Sequence, residues 1–454
     1  MTPSHIFRQY DIRGVWGTDL NEEIVYSIGR AMAFRLSERF AGKKDLRVTI
    51  GRDVRMSSPA MLSALAWAFM KSGVDVIDLG ACPTPVQYFS LFTMPVDGGA
   101  MITASHNPAE FNGLKLSIGT ETLYGDEIQR IKRYIGEGRT VDGKGALVSH
   151  EILPEYMEYM RRHFGPLSGM KAVLDCGNGV AGLVAPELFS RLGAEMIPLY
   201  CTPDGNFPNH HPDPVAPENI KDLISTVLRE KADVGIGYDG DGDRIGVVDG
   251  DGEIIWGDRL LSLFARQLLK EHPGATIIGE VKCSQSLYDD IESHGGVPMM
   301  WKTGHSLIKS KMKESGALLA GEMSGHIFFK DRYFGYDDAV YASLRLMEAL
   351  KRNGPPYSVK RLLAGLPRMS ITPEIRVDCP DDRKFDVVER IKEELGRKHP
   401  IIDIDGVRVR YPGGWGLVRA SNTQPALVMR FEATDDETLK KMREDVEEKL
   451  KKLL

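Results

Sequence analysis

The sequence predicts an α/β protein of three similar mixed-sheet domains followed by a smaller α+β domain, arranged around one central cleft. Three observations lead there. Short β-rich runs alternate with helical patterns over most of the 454 residues, as in α/β architecture with parallel strands. One unit, in which an apolar strand opens into a polar loop of small residues, occurs three times. Residues 368–454 follow a different pattern. A chain this long also exceeds one hydrophobic core, and the prior is roughly three or four domains.

The first copy of the unit predicts a strand at Leu46–Gly51, a helix at Pro59–Ser72 and a strand at Val74–Leu79. It ends in the apolar run Gly98–Thr103, which opens into the loop SHNP. The second starts with a strand at Lys171–Asp175 and a helix at Ala185–Gly193, and reaches Ala232–Gly237, which opens into DGDGDR. The third has a strand at Ala275–Glu280, a helix at Ser286–His294 and the run Ala317–Ala320, which opens into GEMSGH. Ligands of open α/β sheets sit beyond the carboxyl ends of strands, so the three loops are expected to line one cleft.

The C-terminal part predicts a helix at Asp382–Lys398, strands at Val407–Tyr411 and Leu417–Ala420, the loop RASNTQP, a strand at Ala426–Ala433 and a charged helix at Asp436–Leu454. The Glu/Lys pairs of that helix describe a solvated face. Turn-rich stretches near Leu153, Ile254 and Pro367 divide the chain into 1–153, 154–254, 255–367 and 368–454.

Composition narrows the function classes. Hydrophobic residues make up 42% and charged residues 27%, ordinary values for a globular protein. The net charge of −6 argues against nonspecific nucleic-acid or anionic-membrane binding, so a phosphorylated substrate needs a locally basic site. Cys82, Cys176, Cys201, Cys283 and Cys379 are odd in number and scattered, with no CxxC pair, which points to neither a disulfide framework nor a zinc site. The N-terminus has no apolar signal core, and no window reaches the roughly 18 apolar residues of a membrane helix. A cytoplasmic protein, monomeric or a small homo-oligomer, is the expectation.

Four motifs carry chemistry. In DGDGDR, Asp239, Asp241 and Asp243 alternate with glycines ahead of Arg244. Three carboxylates at period two on a tight loop can converge on one hard cation. An EF-hand loop does not fit, because its glycine and glutamate positions hold Arg244 and Gly250. In TASHNP, Ser105 follows a strand and precedes Pro108, a pattern that would also cap a helix. Opposite the aspartate loop, its hydroxyl could carry and transfer a phosphoryl group, with Lys115 of FNGLK neutralising that group or acting as acid or base. RASNTQP brings Arg419, Ser421, Asn422 and Thr423 to one loop, a phosphate cradle or an ordinary turn. GEMSGH offers Glu322, Ser324 and His326 for sugar hydroxyls. YDIRG adds Tyr10 and Arg13, and WKTGHS adds His305.

Together, and in this order, these motifs resemble the α-D-phosphohexomutase superfamily, most closely its phosphomannomutase/phosphoglucomutase branch. The resemblance runs from FRQYDIRG to RASNTQPALVMRFEA and so covers essentially the whole chain. It implies that Ser105 is the phosphorylated catalytic residue, and that Asp239, Asp241 and Asp243 bind Mg²⁺ with a phosphoserine oxygen as a further ligand. It implies that the loop Glu322, Met323, Ser324, Gly325 and His326 contacts the sugar. It implies that Arg419, Ala420, Ser421, Asn422 and Thr423 hold the phosphate that is not being transferred. Tyr10, Arg13, Lys115, Arg244, Lys282 and His305 match positions lining the family's active site. GEMSGH looks like the dual glucose/mannose form of its loop, and Phe111 departs from the tyrosine often found there.

The implied reaction interconverts hexose 1-phosphate and hexose 6-phosphate through a hexose 1,6-bisphosphate, with Lys115 or His305 as acid/base. Phosphoglucosamine mutase is an alternative within the family. A metal-dependent sugar-phosphate phosphatase would let water attack the phosphoserine, and a carbohydrate-binding protein would leave Ser105 without a role.

Overall fold

The computed structural model of the chain describes residues 2–422 and 425–454. Four sheets organise it. In the first, Arg47–Arg52 lies between the parallel strands Asp75–Ala81 and Gly98–Ile102, and Phe111–Ile118 pairs antiparallel with Gly98–Ile102. The second repeats this plan, with Lys171–Asp175 between the parallel strands Glu195–Leu199 and Val234–Tyr238, and Ile245–Asp249 antiparallel to the latter. The third has Thr276–Glu280 between Val297–Trp301 and Leu319–Gly321, with Ile327–Phe329 antiparallel at the end. The threefold unit read from the sequence is therefore a structural repeat.

In each copy the chemistry-bearing loop joins the last parallel strand to its antiparallel partner. Those loops are 103–110, 239–244 and 322–326. The parallel strands are buried on both faces, as in Gly98–Ile102 and Val234–Tyr238, which accounts for their unbroken apolar sequence. The largest apolar cluster runs from Leu79 through the second and third sheets to Leu366, so the first three units share core packing.

The C-terminal part is an antiparallel sheet, as its different pattern predicts, with Ala426–Ala433 between Gly414–Ala420 and the short strands Ser370–Ile371 and Ile375–Asp378. The short strands and Ile401–Ile402 carry too few residues to show a period in the sequence. Helices Lys384–Gly396 and Asp436–Lys451 bury Ile391, Leu395, Val446 and Leu450 against Val407, Val418 and Phe431. Trp415 and Leu417 pack instead on Val281 of the third unit. Arg408 stacks on Trp415 at 3.7 Å and donates to the carbonyls of Val281 and Cys283 at 2.7 and 2.8 Å, fixing the module to the third sheet. No helix of the described residues is long and apolar enough to cross a membrane.

Candidate active site

Ser105 lies where the first unit's last parallel strand gives way to its loop. No helix follows it, because Phe111–Ile118 is a strand, so the helix-cap alternative falls. Its φ of +51° is left-handed, a conformation that disfavours a residue with a Cβ and that persists only where the surroundings enforce it. Arg55 does much of that. Its guanidinium is fully buried, pairs with Asp53 at 3.0 Å, and donates to the carbonyls of Ser105 and Asn107 at 2.7 and 2.6 Å. The Ser105 amide donates to Thr103 Oγ1 at 2.8 Å.

This conformation points the Ser105 hydroxyl at the second unit's loop, where it donates to Asp239 Oδ2 at 2.7 Å. Asp239, Asp241 and Asp243 are buried with their ligand atoms within 4.8 Å of one another. Asp241 Oδ1 and Asp243 Oδ1 accept no hydrogen bond from the described residues. Burial, with Asp241 and Asp243 alongside, holds the Asp239 carboxyl well above the usual carboxylate range. Three desolvated carboxylates, two of them with an unpaired oxygen, suit a hard divalent ion. Asp243, His326 and Asp337 form a second close group, but one of its donors is an imidazole, and a hard cation prefers oxygen ligands alone. The aspartate triad is the better fit.

Lys115 reaches the triad from the strand after the serine loop, 2.9 Å from Asp241 and 2.5 Å from Asp243. Burial opposes its charge, but those two aspartates hold the ammonium well above the usual lysine range. The third unit's loop closes the ring. His326 lies 3.3 Å from Asp243 and 3.0 Å from Glu322, and its Nδ1 is 2.9 Å from the Ser324 hydroxyl. Burial again works against charge, yet Asp243 and Glu322 push the His326 pKa up to about 9. Arg244 donates its amide to Asp239, and its Nε stands 3.4 Å from His326 Nε2. His305 stacks on His326 with ring centroids 5.6 Å apart. Burial and the nearby Lys309 and Lys115 hold it well below the usual imidazole range, so it is neutral.

A second cluster adjoins this one. Glu322 accepts from the Gly304 amide at 2.6 Å, and the neighbouring Thr303 carbonyl accepts from Tyr10 at 2.6 Å. Asn422 of the C-terminal loop donates to the Tyr10 hydroxyl at 2.5 Å, across 412 residues of chain. Arg419 pairs with Asp405, which also accepts from the Thr303 amide. Lys282 lies 3.3 Å from Glu374.

Models of the phosphoglucomutase/phosphomannomutase α/β/α domains I, II and III and C-terminal domain match residues 4–141, 154–252, 256–368 and 374–449. The chain belongs to the phosphoglucomutase/phosphomannomutase family. It is 48% identical over 442 residues to a phosphomannomutase/phosphoglucomutase of Pseudomonas aeruginosa, covering 97% of this chain and 94% of that one. A phosphoglucomutase of Neisseria meningitidis is 43% identical over 96% of this chain and 95% of its own. A crystal structure of a phosphoglucomutase/phosphomannomutase family protein from Burkholderia thailandensis superposes with a TM-score of 0.93 at 42% identity, covering 100% and 98% of the two chains. The match is thus to an enzyme family, that of mutases.

Against that family background, the structure joins Ser105, Lys115, Asp239, Asp241, Asp243, Arg244, Glu322, Ser324, His305 and His326 in one network. Arg13 touches it through Asn107 of the serine loop, at 2.7 Å. Tyr10, Lys282, Arg419 and Asn422 form the adjoining cluster, while Thr423 lies outside the described residues. Sequence reasoning missed Arg55 and Thr84. Thr84 donates its hydroxyl to Asp241 Oδ2 at 2.7 Å and its amide to the Asp241 carbonyl at 2.8 Å. Both follow strands of the first sheet other than the one bearing Ser105, and polar loops at every parallel strand end would have been the signal. Asp337, buried and 3.6 Å from His305, was also missed. The paired acids Asp337-Asp338 were visible in the sequence, but not their neighbours.

Proposed function

We propose that this protein is a phosphohexomutase that interconverts the 1- and 6-phosphates of glucose and mannose through phosphorylated Ser105 and a hexose 1,6-bisphosphate. The observation that carries this reading is the Ser105 hydroxyl, held left-handed and 2.7 Å from a buried triad suited to a divalent cation. The relatives named for both sugars support the dual substrate. Asp239, Asp241 and Asp243, with a Ser105 phosphoryl oxygen, would hold a Mg²⁺ that neutralises charge on the phosphoryl group in transfer.

In the first transfer, the phosphorus–oxygen bond to Ser105 breaks as one forms to the free sugar hydroxyl, whose proton passes to a base. His305 suits that role because it is neutral, whereas Lys115 is held charged and suits the developing negative charge. The freed Ser105 oxygen takes up a proton in turn, and His326, charged at neutral pH, adds positive charge beside Asp243. Arg13 and Arg244 add positive charge beside the serine loop. Glu322 and Ser324, with the Met323 and Gly325 backbone, would orient the sugar hydroxyls. The bisphosphate then turns, and its other phosphoryl group passes to Ser105.

Throughout, Lys282 and the loop Arg419, Ala420, Ser421, Asn422 and Thr423 would hold the idle phosphate, with Tyr10 bridging that loop to the first unit. That reading divides the chain functionally at 153, 254 and 367 into serine, metal, sugar and phosphate units.

The test is conversion of glucose 1-phosphate and mannose 1-phosphate to their 6-phosphates, with Mg²⁺ and a trace of glucose 1,6-bisphosphate. Comparable turnover of both, lost on the order of 10³-fold or more in Ser105→Ala, supports the reading. Full activity of that variant would remove the phosphoserine mechanism. Net release of inorganic phosphate would make the enzyme a phosphatase.

A further inference from the structure

Among the groups that this mechanism leaves unused are two thiols that lie 25 positions apart in sequence and meet in space. Cys176 follows the strand Lys171–Asp175, and Cys201 follows its parallel neighbour Glu195–Leu199. Their Sγ atoms are 3.3 Å apart. Cys201 is held toward its partner by Tyr200, whose φ of +51° is left-handed, and its thiol also donates to the Leu199 carbonyl at 3.3 Å. Cys176 is buried, while Cys201 is only partly so.

The thiols stand directly behind the metal loop. The Val180 amide, four residues past Cys176, donates to the Gly240 carbonyl at 3.2 Å, between Asp239 and Asp241. Packing there leaves no slack. A Cβ on Gly179 would lie 2.7 Å from the Gly240 oxygen, and one on Gly240 would lie 2.5 Å from the Ser105 carbonyl. Movement of the Cys176–Val180 turn must therefore move Gly240, and with it the contact to Ser105.

We propose that Cys176 and Cys201 are a redox couple whose disulfide shifts the metal loop and slows phosphoryl transfer; the rate effect rests on the function proposed above, and the bond itself does not. The oxidant is a hydroperoxide. The Cys201 thiolate attacks a peroxide oxygen and becomes a sulfenic acid, and hydrogen peroxide leaves one oxygen as water. The Cys176 sulfur then displaces the sulfenic oxygen, which leaves as a second water with the thiol proton. Two thiols lose two electrons and one peroxide gains them.

The hydrogen bond between the thiols lowers the pKa of Cys201 and raises that of Cys176, which burial raises further. The more exposed cysteine is thus the better nucleophile. Closing the bond draws the sulfurs from 3.3 Å to about 2.05 Å. The Cys176–Val180 turn takes up part of that approach. A dithiol reductant reverses the reaction by thiol–disulfide exchange.

The experiment treats the full-length protein with hydrogen peroxide, digests it without reduction and identifies peptides by mass. A peptide pair joined through Cys176 and Cys201, with two of the five thiols lost, is expected. Mutase activity should fall about fivefold or more and return with dithiothreitol. Cys201→Ser should keep its activity and become insensitive to the same treatment. No joined pair, or Cys201 driven on to sulfinic acid with Cys176 still a thiol, overturns the couple. A joined pair with unchanged turnover overturns its effect on the metal loop. If neither sugar is turned over before oxidation, the function reading fails while the mass result still decides the couple.

Discussion

The loops around Ser105 and around Arg419 are both polar segments at strand ends, yet they are held in different ways. Ser105 sits in a left-handed backbone enforced by a buried guanidinium, and its hydroxyl meets carboxylates that carry almost no solvent exposure. Among the described residues, the C-terminal loop meets the first unit through Asn422 and Tyr10, while Arg419 pairs with Asp405 of its own module. Phosphoryl transfer gains from fixed charges aimed at the reacting group, which need no rearrangement during the step. A phosphate holder that must accept two opposed poses of one intermediate gains from contacts that are easily exchanged. Rigidity is concentrated where bonds change, and recognition is left to more replaceable contacts.

The strongest test of this contrast is Arg55→Met. It leaves Asp53 charged and buried without its partner, which typically costs about 3–5 kcal/mol, and it releases the Ser105 turn. Urea unfolding should show that loss, and turnover should fall on the order of 100-fold, as expected for misplaced reacting groups. Arg55→Lys should not restore turnover, because an ammonium cannot reproduce the fork that spans the carbonyls of Ser105, Asn107 and Pro108. Full turnover in Arg55→Met would remove the argument that this region is prearranged.

The scaffold behind the metal loop gives the next effect. Asp338 caps the helix Ala339–Asn353, accepts from Tyr156 and Tyr333, and precedes Ala339, whose amide donates to Gly242 of the metal loop. Burial pushes its carboxyl up from 3.8 to about 6. A raised folded-state value means a stabilising contribution present below pH about 4 and lost as pH rises through about 6. Between those limits the wild type should lose about 2–3 kcal/mol by this route. Asp338→Asn keeps a capping oxygen and should not show that fall. Parallel urea titrations across this range check it, and identical slopes for both proteins would refute it.

On the other side of the comparison the effects should be smaller and should appear in substrate binding. Arg419→Ala should raise KM about 10–30-fold with kcat changed little, as suits loss of one charge-assisted phosphate contact worth about 2 kcal/mol. A fall in kcat as large as the rise in KM would place Arg419 with the fixed region instead. Tyr10→Phe removes only the hydroxyl between Asn422 and the Thr303 carbonyl. About 1 kcal/mol, or a fivefold rise in KM, is expected from steady-state kinetics.

Much of the fold was legible because its signals are local. The strands Lys171–Asp175, Val407–Tyr411 and Ala426–Ala433 have the limits read from their apolar patterns. The repeated strand-to-loop junction was visible because each loop is contiguous, so Asp239, Asp241 and Asp243 announce themselves by spacing alone. Arg55, Thr84 and Asp337 carry no comparable spacing. Each gains its meaning from a partner more than 30 residues away, Ser105 for Arg55, Asp241 for Thr84 and His305 for Asp337. The same holds for Cys176 and Cys201, which spacing left unpaired and which two parallel strands place in contact.

By itself the sequence determined the three repeated units, the different C-terminal module and the contiguous loops that bear the chemistry, because strand burial and turn formation leave periodic and compositional marks within a few residues. Only the tertiary structure decided which strand end faces which. It set the left-handed Ser105 against Asp239, slid Arg55 beneath the serine turn, and joined Asn422 to Tyr10 across 412 residues of chain. Those outcomes depend on how whole sheets pack through a shared core, and packing between distant segments writes no pattern into either segment alone.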